Sequence, residues 1–232
     1  MVKILSSPRF DVFAQMALDE VLVGEESLKT EDLCRFFNWS GGVCATFGYA
    51  QFYQSCKAQF EALGITEYTR RPTGGGIVLH KDDLTFSLIF NYGGVLNVRQ
   101  IYDKLHGLIR EGFERSGIKF DSYGAQSDYR PAPGGVSASC FTNPVGGDLM
   151  AGGRKILGGA MRRYGGRILY QGSLQYKDAR GNGGFEDIIA RAFAEFLGGA
   201  DLRKTDLPPD IVKEAESLAL GRYRTQSWIG KF

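Results

Sequence analysis

The sequence has little net charge, little sulfur and almost no histidine. Its 28 lysines and arginines stand against 26 acidic residues, a formal net charge of +2. So small an excess gives no electrostatic footprint for nucleic acid. The 4 cysteines, at positions 34, 44, 56 and 140, show neither short paired spacing nor a Cys/His ligand pattern. They point to no disulfide framework and no metal site, and an isolated cysteine commonly serves as a small buried hydrophobe. No apolar run approaches the length of a bilayer span. Asp11, Asp19 and Glu20 lie among the apolar residues of the N-terminal stretch, which therefore does not read as a secretory signal. No membrane association and a reduced, cytoplasmic setting are expected. Only 2 histidines, His80 and His106, are present to serve as general bases.

What the chain does have is glycine. Its 32 glycines in 232 residues are about double the usual share of roughly 7%, which suggests several close backbone approaches. Hydrophobic residues at 43% and charged residues at 23% are globular values. A chain of this length can bury a full core, and residues 1–232 are read as one domain.

Periodicity and turn signals give the coarse organisation. A helix is expected from Ser7-Pro8, with Phe13, Met16, Ala17, Val21 and Leu22 on its apolar face. Leu33–Trp39 and Val43–Phe47 read as an antiparallel hairpin across Gly41-Gly42. A short helix over 55–63 stops at Gly64, and a strand begins at Ile65. Leu84–Phe90 is β-rich. Asn97 caps the clearest helix, whose face carries Ile101, Leu105, Leu108, Ile109 and Phe113, and Gly117 ends it. A strand is read over Ile118–Tyr123 and a loop over Ala125–Gly135. Strands then run through Arg163 and Ile168 to Tyr176, with Gly165-Gly166 as their turn. One helix is placed near 184–198 and another starts at Pro208-Pro209. The mixture lacks strict βαβ alternation and reads as α+β, with mixed sheets flanked by helices.

Two glycine-rich stretches carry the chemistry. Arg70-Arg71-Pro72-Thr73-Gly74-Gly75-Gly76 puts two guanidiniums beside exposed backbone amides, which suits a phosphate or carboxylate. The same stretch also fits an ordinary turn with two solvated arginines. Ile77-Val78-Leu79 then delivers His80 at a strand end, where it can act as a base or satisfy a local hydrogen bond. His106, mid-helix beside Leu105, reads as a partly exposed helix residue. Downstream, Lys155 precedes Ile156-Leu157 and the Gly158-Gly159-Ala160 turn of small residues. A lysine so placed can reach a ligand oxygen as a point charge, or can be a solvated edge residue. Cys140 lies in a Gly/Pro-rich stretch fifteen residues earlier. A neighbouring cation would lower its pKa and make it nucleophilic; otherwise it is an inert thiol.

These stretches resemble the signatures of the lipoate-protein ligase and octanoyltransferase superfamily. Met16–Glu20, Phe37–Ser40, Phe47–Gln51 and Tyr223–Trp228 are similar as well, so the resemblance runs nearly end to end. It implies a single biotin/lipoyl protein ligase-like catalytic domain that moves an octanoyl or lipoyl group onto a lysine. In that reading Cys140 is the nucleophile and Lys155 holds the acyl carbonyl. Arg70, Arg71, Gly74, Gly75, Gly76, His80, Gly158, Gly159 and Ala160 line the acyl and donor site. Cys140-Phe141 is similar to the cysteine-dependent transferases, while the Arg-Asn-Asp pattern of ATP-dependent ligases and their extra C-terminal domain are not seen. Gly159 stands where a serine is usual, Gln171 where a histidine is usual, and Asn143–Gly147 lacks the usual aromatics. The donor implied is an acyl-carrier-protein thioester. The acceptors implied are lipoyl-domain proteins, such as 2-oxoacid dehydrogenase E2 subunits or the glycine cleavage H protein. No cofactor is then required; the ligase alternative would need ATP and Mg2+, and a pseudoenzyme binding lipoyl domains is the non-enzyme alternative. About six buried methylenes at roughly 0.8 kcal/mol each would contribute about 5 kcal/mol to chain-length selection.

Overall fold

The computed structural model describes residues 1–124 and 144–232; Cys140, Phe141 and the loop read over Ala125–Gly135 lie outside them. The chain begins with β1 (Val2–Ser6) and α1 (Val12–Gly24), followed by β2 (Asp32–Phe36) and β3 (Cys44–Phe47). α2 (Tyr53–Ala62), β4 (Tyr68–Arg70), β5 (Val78–His80) and β6 (Leu84–Asn91) come next. The long α3 (Val98–Arg115) leads to β7 (Asp121–Ser122) and β8 (Leu149–Ala151). A long hairpin of β9 (Arg154–Tyr164) and β10 (Arg167–Leu174) precedes α4 (Gly183–Phe196) and β11 (Leu202–Asp206). α5 (Pro209–Leu218), a π-helical turn at Ala219–Tyr223 and the short α6 (Gln226–Ile229) complete the order.

Among the described residues, eight strands form one mixed sheet in the order β11-β1-β2-β6-β10-β9-β8-β7, and three form a second, β4-β3-β5. Both faces of the larger sheet are covered, so β10 is buried along its whole length. Its alternate residues feed two different cores. Ile168 and Tyr170 pack with α3 and α4 residues such as Leu105 and Phe193. Leu169 packs with α1 and α5 residues such as Leu18 and Ile211. A third cluster, around Phe47, Phe60 and Ile77, joins the small sheet to α2.

Helix ends follow local chemistry. Asn97 accepts from the Gln100 amide and Gln100 returns the bond to the Asn97 amide, closing a capping box at the expected start of α3. Gly117, at φ +86°, ends that helix in the left-handed region.

Four boundaries differ from the sequence reading. α1 starts at Val12, because Asp11 rather than Ser7 accepts from the Phe13 and Ala14 amides. The β2–β3 hairpin does not form. β2 is inserted between β1 and β6, whereas β3 lies between β4 and β5 of the other sheet. Past Phe36 the chain leaves the first sheet through a parallel bridge of Trp39 with Phe10, and Gly41, at φ +92°, turns it into the second. Of the stretch read from Ile65, only Tyr68–Arg70 is strand, and of Ile118–Tyr123 only Asp121–Ser122.

Candidate active site

Arg70 and Arg71 leave β4 in consecutive positions and diverge. The Arg70 guanidinium is buried against five backbone carbonyls: Gly48, Tyr49, Gln51, Trp228 and Ile229, at 3.3, 2.6, 2.8, 3.1 and 2.8 Å. Trp228 Nε1 donates back to the Arg70 carbonyl at 2.8 Å. Arg70 is thus a strap between the Gly48–Gln51 turn and the C-terminal segment, and it does not line the cleft beside it. Arg71 does line that cleft. Its Nε and Nη2 donate to the Gly74 carbonyl at 3.0 and 2.5 Å, closing the loop on itself. Gly75 takes φ +88°, and a β-carbon on Gly48 would collide with the Gly75 carbonyl. These glycines shape the turn, while Gly74, Gly75 and Gly76 contribute no lining to the cleft.

His80, at the end of β5, is buried on the cleft wall. Its Nδ1 lies 2.9 Å from Asp83 Oδ2 and its Nε2 2.9 Å from Thr46 Oγ1, while Trp39 stacks on the ring at 4.6 Å between centroids. Asp83 also accepts from the Thr85 and Ser173 hydroxyls, at 2.6 and 2.7 Å. Burial opposes ionisation of Asp83, but the His80 charge and these hydrogen bonds outweigh it and hold the carboxyl below its ordinary value. The carboxylate therefore fixes Nδ1 as the donor and turns Nε2 towards Thr46, whose hydroxyl is also 3.4 Å from Arg71 Nη1.

On the opposite wall, Lys155 Nζ pairs with Asp148 Oδ2 at 2.8 Å, with side-chain exposures of 3% and 0%. The solvated-edge alternative for Lys155 is thereby removed. Asp148 Oδ1 accepts from Tyr102 at 2.5 Å, and the same Tyr102 hydroxyl accepts from the Gly159 amide at 3.1 Å. Gly158 has no side chain because Lys155 occupies that space: a β-carbon there would collide with Lys155 Cε and Nζ. Gly159 is thin for a different reason, since the Tyr170 ring lies where its β-carbon would be. This accounts for glycine where related signatures carry serine.

His106 is buried beneath this wall, not partly exposed as the mid-helix reading expected. Burial is the main cause that drives its pKa down to about 3, aided by the Lys155 charge and opposed by the Gly147 carbonyl. The neutral ring donates from Nδ1 to that carbonyl at 3.0 Å, so Nε2 accepts from the Tyr170 hydroxyl at 2.7 Å.

A third set of buried groups ties the walls together. Asp19 of α1 pairs with Arg35 of β2 at 2.5 Å and accepts from Ser87 and from Gln171 Nε2, each at 2.7 Å. Gln171 Oε1 accepts in turn from Thr73 at 2.6 Å. The glutamine that replaces the usual histidine therefore links the first signature loop to α1.

Between the walls lies a narrow cleft with a cavity volume of about 30 Å³. Met16, Phe37, Val78 and Ala160 give it an apolar lining, and Arg71, His80, Gly158 and Gly159 also border it. Lys155 borders an adjoining hollow with Arg154, Ile156 and Gln175. Of the eleven site residues read from sequence, the structure gathers Arg71, His80, Gly158, Gly159 and Ala160 on one cleft, with Lys155 directly behind Gly158. Burial pushes the Cys44 and Cys56 thiols up to about 12 and about 11, and Cys34 further still. None of these three is a thiolate at neutral pH. Among the described residues no group of three His, Cys, Asp or Glu side chains could hold a metal ion. No helix among them is long and apolar enough to cross a membrane. Sequence reasoning missed Asp83, Tyr102, Asp148 and Tyr170. The one sequence signal for any of them was Asp148, placed just before the strand that turns back into Lys155.

Residues 11–217 match the family described as the lipoyl protein ligase A/B catalytic domain. The chain belongs to that family. Curated relatives include the octanoyltransferase LipM of Bacillus subtilis, 32% identical over 73% of this chain and 62% of that protein. LipM of Moorella thermoacetica is 28% identical over 74% of this chain and 64% of that protein. The chain therefore covers less than two thirds of the length of these relatives. Among solved structures, a lipoate-protein ligase A bound with ATP superposes with a TM-score of 0.79 at 20% identity, covering 100% of both chains. A bi-partite lipoate protein ligase from Thermoplasma acidophilum, described with its E2 lipoyl domain, gives 0.73 at 17% identity, covering 99% of this chain and 96% of that one. At such identities the superpositions establish the fold.

Proposed function

We propose that this chain is an acyltransferase of protein lipoylation, moving an octanoyl or lipoyl group from a carrier-protein thioester to a lysine of a lipoyl-domain protein. The observation that carries this reading is the meeting of both glycine-rich elements on one apolar cleft backed by a buried lysine. The names of the LipM relatives support it. In the first half-reaction the Cys140 thiolate attacks the acyl carbonyl; a carbon–sulfur bond to Cys140 forms as that to the carrier breaks, and the carrier thiolate leaves. In the second, the acceptor amine attacks the enzyme thioester, the carbon–nitrogen bond forms, Cys140 leaves as thiolate, and the amine proton passes to a base. We assign that proton to His80 Nε2, on the cleft wall with its Nδ1 held by Asp83. Exchange between thioesters is nearly neutral and amide formation runs downhill, so no nucleotide is consumed. Lys155, fixed directly behind Gly158 of the cleft wall, is the cation we assign to the oxyanion of both tetrahedral intermediates. The Tyr123 amide donates to the carbonyl of Asp148, the Lys155 partner, and the Tyr123 carbonyl accepts from the Gly147 amide.

Intact-mass measurement after incubation with octanoyl-carrier protein tests the proposal. A covalent octanoyl adduct should form on the wild-type chain without ATP and be absent from Cys140→Ser. Robust lipoate-dependent exchange of pyrophosphate into ATP, with no adduct in its absence, would replace the transferase with the ligase chemistry.

A further inference from the structure

Strand β9 outruns its outer neighbour. β8 pairs only with Arg154–Leu157, while β10 pairs with β9 from Leu157 to Tyr164. The Gly159 amide points away from β10, towards the Tyr102 hydroxyl. Because backbone groups alternate sides residue by residue, Met161 and Arg163 turn their N–H and C=O groups to the same outer side. Among the described residues neither finds a backbone partner there. An unpaired edge of this kind is a template for another strand, and proteins usually guard it with charge or proline. Here the two arginines are tied back to their own chain. Arg162 donates to the Pro72 carbonyl at 3.0 Å and lies over the Tyr49 ring at 4.6 Å. Arg163 donates to the Gly165 carbonyl at 2.7 Å and lies over Tyr92 at 5.0 Å.

We propose that this edge is where the acceptor protein docks, adding an extended segment that carries its target lysine as a further strand beside Met161–Arg163. The inference rests on the transferase reading above. Its geometric basis is continuity with the cleft, since Ala160, the first residue of the free edge, is part of the cleft lining. A residue directly opposite Ala160 on an added strand has its β-carbon about 4.5–5.5 Å away on the same face. A lysine there stands on the cleft face beside Ala160, next to the space over Gly158 that Lys155 fills. Arg162 and Arg163 lie on the two opposite faces, so acidic residues two and three positions from that lysine, opposite these arginines, are favoured. A second copy of this chain is the poorer occupant. Antiparallel self-pairing of two such edges sets arginines against arginines, and like charges across a strand pair are destabilising.

Met161→Pro tests the proposal, because it deletes an outward amide and none of the β10 bonds, which belong to the even-numbered neighbours. Three readings are taken: acyl loading from octanoyl-carrier protein, single-turnover transfer to an unmodified lipoyl domain at varied concentration, and thermal melts. The expected result is unchanged loading and melting with a half-saturating lipoyl-domain concentration raised about tenfold. In parallel, hydrogen exchange on the wild-type chain should slow at the Met161 and Arg163 amides when the lipoyl domain is added, which decides the matter even if the proline variant fails to fold. An unchanged half-saturation in a folded variant, or no slowing at those amides, overturns the proposal. Slowing that instead tracks enzyme concentration alone, with a dimer in sedimentation, gives the edge to a second copy and also overturns it. Loss of loading in the wild-type chain would instead strike the transferase reading itself.

Discussion

The two glycine-rich elements achieve close approach by different means. In Arg70–Gly76 the glycines serve the main chain: Gly75 adopts a left-handed conformation and its carbonyl presses on Gly48. In Arg154–Ala160 the backbone is a regular strand, and the glycines make room for side chains, Lys155 of the same strand over Gly158 and Tyr170 of β10 over Gly159. The first element is a shaped loop closed by arginines. The second is a thinned wall with a buried cation behind it. The same residue type thus marks conformational need in one place and volume in the other, and each element brings a cation close to the cleft, Arg71 on its lining and Lys155 behind Gly158.

The sharpest break in this comparison is Arg70→Ala. It strips donors from five carbonyls, and leaving buried polar groups unsatisfied should destabilise the fold by about 3–5 kcal/mol, read from chemical denaturation. Activity per folded molecule should survive, because Arg70 does not line the cleft. Lys155→Ala should do the reverse in kind: single-turnover transfer, normalised to folded protein, falls by about 10²–10³, or roughly 3–4 kcal/mol. Equal per-molecule losses in both variants would erase the distinction. Gly159→Ser tests volume directly. Overpacking against Tyr170 should cost about 1–3 kcal/mol, and the same change in a Tyr170→Leu background should cost measurably less. Additive effects of the two changes would mean that the ring does not set this position.

The smallest effect concerns pH. His106 titrates at about 3 in the folded chain against 6.5 as its ordinary value. Its depressed value means that the unfolded chain binds the proton more readily. The stability it contributes is therefore present above pH 6.5 and lost as pH falls towards 3, at up to about 1.4 kcal/mol per pH unit. Urea melts at pH 6.5 and 5.5 should show that slope in the wild-type chain and a shallower one in His106→Gln.

Much of the fold was legible because it rests on local signals. The Asn97 cap, the Gly117 stop and the Gly165-Gly166 turn all act within a few residues, and α3 and the β9–β10 hairpin were placed from them, as β6 was from its β-rich run. The false hairpin of β2 and β3 shows the limit. Both segments are β-rich and close in sequence, but their partners, β6 for one and β5 for the other, are supplied from farther along the chain. Arg71, His80 and Lys155 were singled out by the company they keep in sequence, and the first two line one cleft with Lys155 directly behind its Gly158. Arg70 carried the same signal as Arg71, and only the carbonyls of Trp228 and Ile229, far downstream, show that its donors are committed. His106 read as a surface residue because Leu105 beside it is no guide to what Tyr170 and Gly147 place above the ring.

The Arg70 strap has a consequence in time as well as space. Its bonds to Trp228 and Ile229 span 158 and 159 residues of chain. At a synthesis rate of about 5–20 residues per second, roughly 8–32 s separate the appearance of Arg70 from that of its last partner. Until then the guanidinium lacks those acceptors, and the Gly48–Gln51 turn is joined to Arg70 alone. The strap thus closes only after the whole cleft lining, whose last residue is Ser173, has been synthesised, and a nascent chain halted before Trp228 should hold its arginine loop without that latch.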